Sequence, residues 1–278
     1  MSSLGIIAGG GDLPIAIAEC AAGSGVFIAA LQGMADPGVE KFAHAWVSLG
    51  EAGKILRLFR EQGCRDILLA GKVSRPRWAD LKFDAKGAML LPKVVAAGLK
   101  GDDSILRLLV SSIESEGFRI VSAAEAAPAL LAPLGALGRI QPSQQDDSDI
   151  ALAAEIVRRL GELDVGQAAA VCEGLVLAVE AAEGTDAMIA RIGTLSETLR
   201  GTPGKPRGVL VKAPKPTQDR KTDLPVIGVE TVRKIASVGL RGIALEAGGA
   251  LIVNRPAVIA EADAAKVFVL GYERRAGA

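Results

Sequence analysis

Short aliphatic runs that end in glycine or a polar loop, each followed by a segment of helix length, most strongly limit what this chain can fold into. In the first half these runs cover 4–8, 26–31, 45–49, 66–70 and 118–122. Runs this short read as buried strands. Between them, 51–62 carries Ile55, Leu58 and Phe59 on one face, as an amphipathic helix would. A βαβα alternation predicts a parallel, doubly wound sheet. Half of the residues are hydrophobic, yet aromatics make up only 3%, and there are 33 glycines. Small aliphatic side chains suit strands and helices that approach closely.

A chain of 278 residues holds one large domain or two ordinary ones. The expected layout is an α/β protein: a Rossmann-like parallel-sheet domain over 1–132, a linker over 133–148 and a mixed α+β domain over 149–278. The linker is read from Pro133, Gly135, Gly138 and Pro142 running into Ser143-Gln144-Gln145-Asp146-Asp147. Beyond it, 149–160 reads as a helix, and 169–172 and 174–180 as a hairpin turning at Glu173-Gly174. A helix from 187, capped by Thr185 or Asp186, follows. Strands over 241–246, 250–254 and 266–270 enclose a helix over 256–264.

Several function classes drop out. The formal net charge is zero, and no basic stripe with aromatics appears, so nucleic acid is not an expected partner. Cys20, Cys64 and Cys172 form no CxxC pair, which points to a reducing compartment and no structural zinc. The amino terminus lacks the pattern of a signal peptide, and no run approaches ~18 apolar residues. The cytosol, or at most the periphery of a membrane, is therefore the expected location. His44 is the single histidine, which excludes histidine-rich metallophosphoesterase chemistry. There is no GxSxG elbow, Walker A loop, kinase set or Nudix glutamate cluster.

What remains is carboxylate, lysine and arginine chemistry on loops. Residues 208–232, GVLVKAPKPTQDRKTDLPVIGVETV, open with a buried strand. They then mix Lys212, Lys215 and Arg220 with Asp219 and Asp223 on a backbone stiffened by Pro214, Pro216 and Pro225. Carboxylates that hold a divalent cation beside cations that neutralise phosphate oxygens suit phosphate chemistry; the plain alternative is a solvated connection. Near the start, Gly9-Gly10-Gly11-Asp12 joins a strand to a helix that begins at Pro14, a shape that can receive a phosphate or be only a tight turn. Pro14 replaces the third glycine of a dinucleotide fingerprint, and no acidic ribose ligand follows 26–31, so a nicotinamide cofactor is disfavoured. Lys72 and Arg75 follow the strand 66–70, where anions would be met. Asp103 or Ser104 reads as the cap of a helix over 105–115. Glu180, Glu183 and Asp186 cluster at a strand end and helix start, as metal contacts or as caps.

The motifs LGIIAGGGDLP (4–14), GKVSRP (71–76), KGDDS (100–104), GLVLAVEAAEGTDAMIAR (174–191) and the 208–231 stretch occur in this order along the chain. Together they resemble the UDP-2,3-diacylglucosamine pyrophosphatases of the LpxI type. The resemblance implies Mg²⁺-dependent cleavage of UDP-2,3-diacylglucosamine to UMP and 2,3-diacylglucosamine 1-phosphate (lipid X) in lipid A biosynthesis. It also implies a Rossmann-like domain and a distinct C-terminal domain with the lipid held between them. The family's catalytic aspartate falls on Asp223, which would hold the metal or orient water.

On that footing Lys212 and Lys215 join Asp223 as catalytic candidates. Asp219, Asp186 and Glu183 join it as metal ligands. Gly9, Gly10, Gly11, Asp12, Lys72, Arg75, Thr185, Arg191, Gln218 and Arg220 are the candidates for substrate contact. The apolar segment 88–99 and the interdomain linker are where acyl chains would lie, and the cytoplasmic face of the inner membrane is the expected peripheral partner. The high apolar fraction is compatible with a homodimer. A non-catalytic sugar-nucleotide or lipid carrier is the alternative, and release of UMP separates the two.

Overall fold

The computed structural model describes residues 3–73, 81–99, 101–215 and 224–274. The chain divides into two compact units, Met1–Ala129 and Leu130–Ala278. The first holds β1 (Ser3–Ala8), α1 (Leu13–Ala21), β2 (Val26–Leu31), β3 (Ala43–Val47), α2 (Ala52–Glu61) and β4 (Cys64–Ala70). It continues through α3 (Ala85–Gly98), α4 (Asp102–Glu114), β5 (Arg119–Ile120) and α5 (Ala123–Ala126).

The five strands are all parallel, in the order β3-β2-β1-β4-β5. The expected doubly wound sheet is thus present, with the strand order reversing direction between β1 and β4. Ile55, Leu56 and Phe59 of α2 are buried on the sheet. The Phe59 ring meets Phe27 and Phe118 edge-on at 6.2 and 6.4 Å. The α4 helix starts at Asp102 with Gly101 in the cap position, so Asp103 and Ser104 lie inside the helix and not at its cap position.

The second unit holds β6 (Gly135–Leu137), α6 (Gln144–Glu162), β7 (Ala168–Cys172), β8 (Leu175–Val179) and α7 (Gly184–Gly193). After these come β9 (Val209–Lys212), β10 (Val226–Ile227), α8 (Val229–Ser237), β11 (Gly242–Glu246), β12 (Leu251–Ile252), α9 (Arg255–Ala265) and β13 (Phe268–Tyr272). Six strands form one mixed sheet, β6-β13-β11-β9-β7-β8. Its centre, β13-β11-β9, is parallel, and β6, β7 and β8 pair antiparallel. The strand expected over 250–254 shortens to β12, which pairs with β10 in a separate parallel ribbon.

Alternation along each strand sends Leu210, Ile243 and Val269 toward α7, α8 and α9. Val209, Val211 and Ala244 go toward α6. Among the described residues no helix is long and apolar enough to cross a membrane.

Residues 133–148 are not a linker. They contribute β6, paired with β13, and the start of α6, which opens at Gln144 and not at 149. A capping box sets that start: the Ser143 hydroxyl accepts from the Asp146 amide, and the Asp146 carboxylate accepts from the Ser143 amide. The polar run that reads as a solvated connection is the helix's own first turn.

The hairpin at Glu173-Gly174 forms as expected, with positive φ of 52° and 81° at its two turn residues. Its amides are held from outside, because Asp149 on α6 is 1% exposed and accepts from Glu173 N and Gly174 N at 2.8 Å each. Asp149→Ala would leave these two turn amides without their acceptor. It should cost about 2–3 kcal/mol, read as a lower urea midpoint at unchanged slope; an unmoved midpoint would show that the turn stands without it.

Candidate active site

In parallel sheets ligands bind beyond the carboxyl ends of the strands. At that edge of the second sheet, polar side chains replace the apolar ones. Lys212 ends β9 opposite Ala168 of β7, and the Glu180 amide donates to the Ala168 carbonyl at 2.9 Å. Lys212, Ala168 and Glu180 therefore form one row across the face covered by α7–α9, with only a methyl group in the middle. Strands lie ~4.8 Å apart, so the two outer Cα atoms are about 10 Å apart.

Both outer residues are buried. The Lys212 ammonium donates to the Val226 carbonyl at 3.3 Å, which ties the strand end to the start of β10. Glu180 is 7% exposed. Its Oε1 accepts from the Thr185 hydroxyl at 2.9 Å, whereas Oε2 has no hydrogen-bond partner.

The opposite face carries a second row. Ala213 N donates to the Gln167 carbonyl, Leu245 is in register with Lys212, and Glu246 pairs with Tyr272. Gln167, Ala213, Glu246 and Tyr272 thus run side by side toward α6. Glu246 is buried, and the Gln167 side-chain oxygen has no partner. Burial and then the Glu246 carboxylate push the Tyr272 phenol above its ordinary range.

The acidic trio at the start of α7 separates. Glu183 is paired with Arg191 at 2.8 Å, and Arg191 also donates to the Val179 carbonyl. The Glu183 main-chain amide and the Arg191 guanidinium hold its carboxyl below the usual carboxylate range. Asp186 is paired with Lys234 at 2.8 Å. Thr185 turns onto Glu180, and α7 begins without a side-chain cap, so the expected caps are absent. Among the described residues no three His, Cys, Asp or Glu side chains converge as a metal site would need. Lys215 is paired with Asp164 at 2.7 Å. Asp223, Asp219, Gln218, Arg220 and Arg75 lie outside the described residues; Leu224, which follows Asp223, is buried.

In the first unit the loops after β1 and β4 are zipped together. Gly10 N donates to the Lys72 carbonyl and Lys72 N to the Gly10 carbonyl, both at 2.8 Å, while Gly9 N donates to Ala70 O at 2.8 Å. A Cβ on Gly9 would stand 2.5 Å from Lys72 O, and one on Gly71, where φ is +90°, 2.7 Å from Gly10 O. Gly9 and Gly10 therefore serve close backbone approach, and their amides are spent within the protein. Gly11 and Asp12 stay exposed at the amino end of α1, where Asp12 makes no side-chain cap bond. Lys72 is exposed at the end of β4.

Sequence reasoning misses Gln167, Glu246 and Tyr272. The available signal for Glu246 and Tyr272 was a polar residue closing an otherwise apolar run, as in IALE and FVLGY; Gln167 precedes its strand and carried no such signal.

Comparison with known proteins covers the whole chain. The family described as the LpxI N-terminal domain matches residues 3–130, and that described as the LpxI C-terminal domain matches residues 133–270. A protein of Caulobacter vibrioides named "UDP-2,3-diacylglucosamine pyrophosphatase LpxI" is 47% identical over 275 residues, 98% of each chain.

Tyr272 is the sole tyrosine, so its titration reads this edge directly. Its phenol should hold its proton past pH ~10, where a free tyrosine ionises, and Glu246→Gln should bring the transition down. Because the folded pKa is raised, the unfolded chain loses this proton first, and stability should fall as pH climbs above ~10. Ultraviolet absorbance of tyrosinate follows it; a midpoint unmoved by Glu246→Gln would separate the two groups.

Proposed function

The chain belongs to the LpxI family, and from that premise we propose that it is a UDP-2,3-diacylglucosamine pyrophosphatase yielding UMP and 2,3-diacylglucosamine 1-phosphate with Mg²⁺. The observation that carries this reading is likeness over both halves to one named pyrophosphatase. It is joined by a buried lysine at the strand end where the 208–232 stretch begins.

In the proposed reaction the oxygen of a water adds to one phosphorus while the bridging P–O bond breaks. The leaving phosphate takes the electron pair, and the water's protons pass to solvent or to a carboxylate. Asp223 orients that water. Lys212, in a dry setting where charge acts strongly, faces the negative charge that builds on the phosphate oxygens. Lys215 and Arg220 add positive charge at the rim. The Lys215–Asp164 pair involves a mostly exposed carboxylate and is worth at most about 1 kcal/mol, so its ammonium transfers to a phosphate at little cost.

Mg²⁺, when bound, supplies further charge neutralisation and acidifies water. Its fit to this chain rests on oxygen donors at the strand end. Glu180 offers an oxygen without a partner, and Asp219 and Asp223 belong to the adjoining stretch. Glu183 and Asp186 would first have to leave their ion pairs. Gly11, Asp12, Lys72 and Arg75 are proposed to meet the nucleotide, and Thr185, Arg191 and Gln218 to steady the sugar and phosphate side.

The acyl chains call for apolar surface, and α3 offers it. Its outward positions include Ala88, Met89, Pro92, Val95, Ala96 and Leu99, with Lys93 as the charged exception. Met89 and Leu99 are 76% and 87% exposed. A helix whose exposed positions are mostly apolar suits a lipid surface better than water. The proposed setting is the cytoplasmic face of the inner membrane.

Two experiments decide this. The wild type incubated with UDP-2,3-diacylglucosamine and Mg²⁺ should release UMP, and both EDTA and Asp223→Ala should cut the rate by about 10²-fold or more. No UMP from the wild type, or full activity in a folded Asp223→Ala variant, sinks the reading. For the lipid, Met89→Asp with Leu99→Asp should reduce co-sedimentation with anionic vesicles severalfold while thermal melting holds. Equal binding would remove α3 from lipid contact.

A further inference from the structure

Proline is the costliest residue inside a helix and is at home only in the first turn. The α1 and α9 helices carry theirs there. In α3 the proline is Pro92, well inside a helix that runs from Ala85 to Gly98. It brings no N–H to the Ala88 carbonyl, and its ring crowds the preceding turn. No packing offsets this, because Pro92 and Ala88 are both exposed. Local rules broken without a packing gain concentrate at functional positions.

The break divides α3 into two parts that are held very differently. The first turn is fastened to α2. Asp84 Oδ1 accepts from the Gly87 amide and Oδ2 from the Lys54 amide, both at 2.8 Å, so one carboxylate serves the amino ends of two helices. A Cβ on Gly87 would run into the Gly50 carbonyl oxygen, which shows how closely this turn is seated. Lys86 is ion-paired with Glu116, which also holds Arg60 of α2. Past the proline the helix stands clear. Among the described residues of α3 only Gly87 is buried, and Lys93, Val95, Ala96 and Leu99 are exposed. The α4 helix alongside gives no firm seat, since none of its residues from Ser104 to Ser112 is buried.

We propose that Pro92 is a swivel, on which residues 93–99 tilt against a fixed base to lay Val95 and Leu99 onto the hydrocarbon of a lipid surface. This rests on the reading of α3 as the lipid-facing helix. A segment with few buried apolar contacts opens at small free-energy cost, and hinges confine motion to a few residues beside rigid parts. Hydrocarbon favours the tilted state by covering aliphatic side chains that water otherwise wets. The clamp at Asp84 keeps the moving segment attached to the sheet domain while it does so.

The full chain as wild type, Pro92→Ala and Pro92→Gly carries the test, read by hydrogen exchange and by co-sedimentation with anionic vesicles. In wild type the amides of 93–99 should exchange at least about tenfold faster than those of 56–61 in α2, and slow severalfold when vesicles are added. Alanine restores the missing N–H and favours helix, so Pro92→Ala should slow exchange of 93–99 about tenfold without vesicles. It should melt no lower than wild type, yet bind vesicles severalfold more weakly. Glycine also removes the ring but keeps the helix loose, so Pro92→Gly should bind as wild type does. Weaker binding by both variants would assign the effect to the ring's own apolar contact and overturn the swivel. Pro92→Ala binding as tightly as wild type, or wild-type 93–99 exchanging as slowly as 56–61, overturns it as well. No vesicle binding by wild type overturns it together with the lipid role of α3.

Its failure is separable from that of the pyrophosphatase reading. UMP released by a wild type whose 93–99 segment is rigid removes the swivel alone. Vesicle binding that follows the swivel, with no UMP released, removes the reaction and leaves the device.

Discussion

A sheet covered by helices on both faces can place charge only where its strands run out. In the second unit that constraint governs everything of chemical interest. Val209, Leu210 and Val211 are fully buried, and the next side chain is Lys212. Leu177 and Ala178 are buried, and the strand closes at Glu180. Ile243, Ala244 and Leu245 lead to Glu246. Because β9 and β11 run parallel while β7 enters from the opposite direction, these ends meet along one edge. Alternation then sorts them: Lys212 and Glu180 to one face, Glu246 and Tyr272 to the other. The charges stay buried because their stems lie on the packed sheet while their polar heads meet backbone carbonyls and hydroxyls.

The first unit meets the same constraint with backbone. At the point where its strand order reverses, the loops after β1 and β4 press together so tightly that two glycines are required for contact alone. A glycine-rich strand-to-helix turn has two physical explanations, close approach and anion binding. Here the first accounts for Gly9 and Gly10, while Gly11 and Asp12 at the head of α1 stay open for the second.

Surface ion pairs sort the remaining candidates. A carboxylate beside a guanidinium or ammonium on the outside of a helix has its charge already matched, as Glu183 and Asp186 do. One that is buried with a single neutral partner does not, as Glu180 shows. The difference lies in geometry, since all three fall within seven residues of one loop and helix start.

Local chemistry was enough for a good part of this protein. The alternation of aliphatic runs and amphipathic segments determined two α/β layers, and Glu173-Gly174 determined the hairpin, since both depend on residues near in the chain. The Ser143–Asp146 box was equally local, yet it was hidden inside a polar run that reads as linker. β6 is three residues long and exists only because β13 lies beside it. Pairing also decided that β10 and β12 leave the main sheet.

The sequence could supply the acids and lysines but not their partners. Which of them is matched, buried or left with an idle oxygen depends on strands distant in the chain coming into register. That register is set by the packing of both sheet faces and not by any neighbouring residue.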